Sequence, residues 1–134
     1  MSPTSLTLLR NWGFLLFGTL ALVYAVGTLV RGDQIFSGWN LFWAGLAMNA
    51  LLVFGYVLAG RRGMMIAWDE LTMSVWRRAL ERGYFITIAS APLLALGLEL
   101  GAFGTGVAFG ALAGIASGLP LVLFAMSDLA ERKA

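Results

Sequence analysis

GVAFGALAGIASG, residues 106–118, sets a glycine at every fourth position, Gly106, Gly110, Gly114 and Gly118, inside a run too apolar to be a loop. A glycine inside a helix is unfavourable by about 1 kcal/mol relative to alanine, so four in register call for a compensating contact. At about 100° per residue, these four and Ser117 fall within an arc of roughly 120°, while the bulky Phe109, Leu112, Ile115 and Leu119 fall on the far side. In hydrocarbon the hydrophobic effect does not drive helices together, and close van der Waals contact must do so. Small residues four apart let two backbones approach and favour a crossing of about 40° in magnitude. The stretch therefore predicts a transmembrane helix whose smooth face, Gly106, Gly110, Gly114, Ser117 and Gly118, is a packing interface. Periodicity alone leaves three partners open: another span of this chain, a second copy, or a different subunit.

The rest of the chain agrees with a lipid environment. Of 134 residues, 60% are hydrophobic and only 12% charged, against roughly a quarter charged in soluble domains, and the mean hydropathy is +0.84. Without cysteine there is no disulfide, thiolate nucleophile or iron–sulfur ligand, and without histidine the commonest metal and haem ligand is missing. No metal is expected, and no cofactor is indicated, although grooves between kinked apolar helices have room for a bound lipid, quinone or carotenoid.

Crossing about 30 Å of hydrocarbon takes roughly 20 helical residues. Four apolar runs approach that length, at about 12–30, 39–60, 84–100 and 104–126. The third is short unless the preceding helix continues into it. The first has a core longer than the roughly 7–15 residues of a signal peptide, so it is read as a retained helix rather than a cleaved leader. The expected fold is all-α: an integral membrane four-helix bundle forming a single domain over residues 1–134.

Orientation follows from the arginines and lysines, which are retained on the cytoplasmic side. With four spans both termini share a side. Arg10, Arg61, Arg62, Arg77, Arg78, Arg82, Arg132 and Lys133 fall on it, and only Arg31 on the other. Both termini are therefore expected in the cytoplasm, with the chain in a cell inner (plasma) membrane.

The one sizeable segment outside the spans is RRGMMIAWDELTMSVWRRALERG, residues 61–83. Trp68, Leu71, Val75 and Trp76 recur at three-and-four spacing, so an amphipathic cytoplasmic interfacial helix is expected at about 64–82, between spans two and three. Arg77 and Arg78 lie on its basic side, where they suit a headgroup surface or a docking partner. The elbow WDELTMSVWRRALERGYFITI, acidic, then basic, then apolar, resembles segments of assorted small four-helix bacterial inner-membrane proteins that have no assigned activity. The resemblance covers about 20 residues and implies a membrane bundle without implying a substrate.

Polar groups inside spans are costly and often mark function. Asn49, in the middle of the second span, is expected to make a packing hydrogen bond to another helix. Glu99, the only carboxylate within a predicted span, stands near the non-cytoplasmic end and is expected to be a solvated boundary residue, dispensable for proton coupling. Pro92 and Pro120 remove backbone donors and should free the carbonyls of Ile88 and Ala116, with Thr87, Ser90 and Ser117 near enough to compensate.

No nucleophile stands with a histidine base, no acids cluster at metal spacing, and no glycine-rich loop joins a strand to a helix. No catalytic residue is assigned. The expected function is a noncatalytic accessory or assembly subunit of a larger membrane complex. Its partners would be other membrane subunits, a hetero-complex rather than a homo-oligomer, together with the bilayer and not nucleic acid. The alternative is a small oligomeric transporter or channel.

Overall fold

The computed structural model describes residues 2–34 and 38–133. It is all-α, with four long helices: α1 (Pro3–Arg31), α2 (Gly38–Ala67), α3 (Glu70–Glu99) and α4 (Thr105–Lys133). Three of them, α1, α2 and α4, are long and apolar enough to cross a membrane. α3 is as long, but its first half carries Arg77, Arg78, Glu81 and Arg82.

Local chemistry sets the ends. Ser2 caps α1 by accepting from the Ser5 backbone N–H at 3.1 Å, and Gly32, at φ 68°, ends it in the left-handed conformation that glycine adopts without a Cβ clash. Between α3 and α4, Gly101 adopts φ 69°. The Ala102 N–H donates to the Gly97 carbonyl at 2.9 Å and the Gly101 N–H to that of Leu98 at 3.1 Å, the paired bonds of a Schellman motif. That motif makes the short hairpin between the last two helices.

The expected separate interfacial helix at 64–82 is not formed. Residues 61–67 extend α2 beyond a break at Gly60 (φ 67°, ψ 177°), and residues 70–82 are the first half of an uninterrupted α3. The boundary falls at Trp68–Asp69, where the Asp69 carboxylate caps α3 by accepting from the Thr72 N–H at 2.8 Å. Gly83 does not end a helix. A Cβ there would stand 2.5 Å from Pro120 of α4, so this glycine is a contact point.

The main contacts run in the order α2, α1, α4, α3. α1 and α4 are antiparallel, since Arg10 meets Asp128 while Tyr24 lies by Gly110. Their interface is the most extensive between helices, and α4's glycines bring the two backbones together. A Cβ on Gly114 would stand 2.6 Å from the Ala21 carbonyl oxygen, and one on Gly118 would stand 2.6 Å from that of Gly18. Gly110 faces the Tyr24 hydroxyl, whereas Gly106 has only the Gln34 amide at 3.8 Å. Ser117 is exposed and donates to its own helix at Ala113. The smooth face thus divides, three glycines meeting α1 and the rest lying outside that contact. On the opposite stripe Leu112 and Ile115 pack against Ala25, Leu94 and Ala111, and Phe109 is exposed.

At the arginine-rich end one core cluster draws on all four helices, through Phe14, Leu52, Val75, Ala79, Phe124 and Ala125. At the other end the core comes from α1, α3 and α4 only. α2 is therefore held mainly at one end, and 11% of its most apolar stretch is buried, against 33% for α1 and α4.

Gly114→Leu and Gly118→Leu put a branched side chain where a backbone carbonyl of α1 already sits, and overpacking costs about 1 to 3 kcal/mol or more. Both variants should unfold at lower denaturant than the native chain in mild detergent, as an isolated protein. Gly106→Leu, whose neighbour is a movable amide, should not.

Candidate functional site

The buried polar groups gather at the arginine-rich end. Arg10 and Asn11, consecutive on α1, are both fully buried, and Asp128 of α4 is 2% exposed. One carboxylate oxygen of Asp128 accepts from Arg10 Nη2 at 2.9 Å, Asn11 Nδ2 at 2.6 Å and Arg132 Nε at 2.8 Å. The other lies 3.5 Å from the Thr72 hydroxyl of α3, long for a hydrogen bond, and that hydroxyl accepts from Arg132 Nη2 at 3.0 Å. Arg10 also donates through Nη1 to the Ala67 carbonyl at the end of α2, an acceptor left without an intrahelical donor by helix termination. Its Nε donates to Asn11 Oδ1. One guanidinium and one carboxylate therefore tie together all four helices.

Aromatic rings enclose this node. The Arg10 Cζ lies 4.7 Å from the Trp68 ring centre and 5.0 Å from that of Phe124, within cation–π range. Trp68 and Phe124 stack at 5.9 Å, and Trp76 meets Phe124 edge-on at 5.1 Å. Trp68 donates to the Tyr56 hydroxyl of α2 at 2.6 Å. A planar, delocalised cation suits this setting, because it stacks on rings while donating in several directions.

Of the residues expected on an interfacial helix, Val75 is buried, Trp68 and Trp76 are half-buried in the aromatic cluster, and Leu71, Arg77 and Arg78 are exposed. Trp68 and Trp76 are thus internal packing elements, unlike the exposed Trp12, Trp39 and Trp43. Arg78 pairs with Glu131 of α4 at 2.9 Å. The Asp69 carboxyl is held below the usual carboxylate range, chiefly because its ionised form accepts the Thr72 backbone N–H.

Asn49 does not reach another helix: its Nδ2 donates to the Gly45 carbonyl one turn earlier, at 2.8 Å, and the side chain is exposed. It stands beside an open groove of about 470 Å³ between α2 and α4, floored by Phe17 and bordered by Gly45, Ala113 and Ser117. Glu99 is exposed as the last residue of α3. The hydroxyls expected to compensate for Pro92 and Pro120 bond elsewhere, Thr87 to Gly83, Ser90 to Thr87 and Ser117 to Ala113, because each reaches back three or four residues along its own helix.

The Arg10–Asp128 node is not evident from the sequence, because Arg10 and Arg132 read as flanking charges and Asp128 lies just beyond the fourth apolar run. Aspartate at 128 and arginine at 132, one helical turn apart, were the signal present in the sequence. Among the described residues no group of histidine, cysteine or acidic side chains is placed to hold a metal ion. No family model, curated protein or solved structure matches this chain.

Removing one partner of a buried ion pair strands the other, at a cost of about 3 to 5 kcal/mol. Asp128→Leu, which strands the buried Arg10, should sharply lower the denaturant midpoint in detergent, and Arg10→Met, which leaves Asp128 to Arg132 and Asn11, should lower it less. The double variant, which leaves neither of the two charges stranded, should be more stable than the sum of the single losses predicts, and a double loss equal to that sum would exclude the coupling. A second expectation concerns acid. The Asp69 carboxyl is depressed in the folded chain, so its capping stabilisation is complete above the unfolded carboxylate pKa of about 3.9 and is lost as pH falls through the lower folded value. Asp69→Asn, which keeps an uncharged acceptor, should weaken the acid dependence of α3 amide protection in hydrogen exchange.

Proposed function

We propose that this chain is an integral membrane protein of four spans with both termini cytoplasmic. In this reading it acts as a noncatalytic assembly subunit that receives a helix of a different membrane protein in the groove between α2 and α4. The observation that carries the proposal is Asn49, exposed in the middle of an apolar helix beside that groove. One amide proton is satisfied by Gly45, and the remaining donor and acceptor capacity would otherwise face hydrocarbon, where an unpaired polar group is costly. Gly45 and Ala113 make the walls low enough for a close backbone approach, and Ser117 supplies a second polar group. α2 bears the greatest apolar exposure of the membrane-length helices. With Gly114 and Gly118 occupied by α1, this groove, rather than the glycine stripe, is the open recognition surface.

Topology is supported by charge. Eight of the nine basic residues fall at one end of the bundle, and the alternation of helix direction puts both chain ends there. For α3, the uncharged stretch from Gly83 to Leu98 spans about 24 Å, slightly less than the hydrocarbon, and Arg82 and Glu99 at its two edges can extend toward the headgroups.

A photo-reactive residue at Ala113, irradiated in native membranes, should give a covalent adduct with a different polypeptide. Asn49→Leu should reduce that adduct about fivefold, the equivalent of one interhelical hydrogen bond of about 1 kcal/mol, while leaving the unfolding of the isolated chain unchanged. Adducts to lipid alone would overturn the docking proposal, and adducts to a second copy of this chain would replace it with the homo-oligomeric reading.

A further inference from the structure

A second polar site lies nearer the C-terminal end of α4, in the crevice against α3. It is a partly open pocket of about 110 Å³ lined by Arg78, Arg82, Ser127 and Glu131, with Val75, Ala79 and Leu123 as its apolar walls. Glu131 fixes Arg78 at 2.9 Å. Arg82, one helical turn beyond Arg78, has no hydrogen-bond or ion-pair partner among the described residues, and neither does the half-buried Ser127 hydroxyl. Two guanidinium groups against one carboxylate leave one positive charge uncompensated. A site of that volume has room for several waters or for a phosphate group.

We infer that this crevice binds the phosphate of an anionic phospholipid headgroup. Arg82 and Ser127 would donate to the phosphate oxygens, and Arg78 would donate from the guanidinium nitrogens not engaged by Glu131. The residues immediately after Arg82 on α3 favour a lipid over a soluble phosphate. Tyr84 and Phe85, 62% and 68% exposed, occupy the position where aromatic side chains mark the headgroup boundary, and the helix is apolar from there on. The phosphate site would thus open at headgroup depth, with acyl chains running down the outer face of α3. Basic pockets between membrane helices at the cytoplasmic side suit anionic headgroups for this reason. The inference rests on the four-span, cytoplasmic-termini reading given above.

The test uses the full chain in mixed micelles containing dioleoylphosphatidylglycerol or dioleoylphosphatidylcholine, with bound lipid counted by native mass spectrometry. One phosphatidylglycerol should be retained preferentially, and Arg82→Gln should weaken its retention about fivefold. Ser127→Ala should weaken it less. Arg61→Gln, which removes an equal charge at the same end of the bundle but outside the crevice, should leave retention unchanged. Arg82 is exposed and unpartnered among the described residues, so lipid-free unfolding of the Arg82→Gln chain should match that of the native chain and show that the loss is one of binding. Equal losses in the Arg61 and Arg82 variants would overturn the site in favour of diffuse surface charge. Inorganic phosphate that displaces phosphatidylglycerol at millimolar concentration would reassign the pocket to a soluble phosphate and overturn the lipid proposal. Alkaline carbonate extraction of native membranes decides the membrane reading separately. A chain released by carbonate would fail that reading. A chain that is retained, yet keeps its phosphatidylglycerol preference after both Arg82→Gln and Ser127→Ala, would fail the site alone.

Discussion

Asp128 is the point on which the four helices converge. Its carboxylate receives Arg10 and Asn11 from α1 and Arg132 from its own helix, with Thr72 of α3 at its other oxygen, and Arg10 carries the link on to the last carbonyl of α2. A charged pair stripped of water is tolerable only when its remaining donors and acceptors are satisfied. Here most of them are, by an amide, a second arginine, a backbone carbonyl and two aromatic faces. Such a node fixes helix register as well as contact. Sliding α4 against α1 by one turn would break the donations from both Arg10 and Asn11 at once.

From that end the bundle opens. α1 and α4 stay in backbone contact along the glycine stripe, and α3 follows α4 through the Gly83–Pro120 contact. α2 is gathered in at the aromatic cluster and leaves grooves on both its flanks, one shared with α1 and lined by apolar residues alone, the other shared with α4 and bordered by Asn49 and Ser117. The molecule thus combines a closely packed three-helix unit with a helix held mainly at one end. The packed part presents a fixed groove, while the exposed helix supplies an apolar surface. The two candidate binding surfaces share no residue, and Ser117 in one and Ser127 in the other stand about 15 Å apart along α4.

Much of this was readable in the order of residues. Length, low charge and four apolar runs bounded by arginine, glycine or acidic residues specify helices of membrane length, because an apolar backbone must satisfy its own hydrogen bonds. The four-residue glycine spacing marks a close approach, because only a missing Cβ permits one. The helix expected to end at about residue 82 runs on through Gly83 for a related reason. Glycine ends helices and also makes room for neighbours, and only the presence of Pro120 across the crevice shows which role applies.

Pairing belongs to the tertiary structure. Periodicity places glycines on a face without naming the helix that meets it, and Ala21, Ala25 and Gly18 become that partner only when α1 runs antiparallel to α4. Arg10 and Asp128 stand 118 positions apart, and in sequence each carries the signature of a solvated end residue. Folding brings the two helix ends together and removes their water, and it does the reverse for Asn49, whose midspan position suggested a buried partner and whose side chain opens onto a groove. Burial depends on which helices adjoin, a relation among distant segments that local spacing does not encode. The sequence therefore specifies helices, their apolar character and their close-packing faces, while the fold decides which polar groups are joined and which are left for a partner.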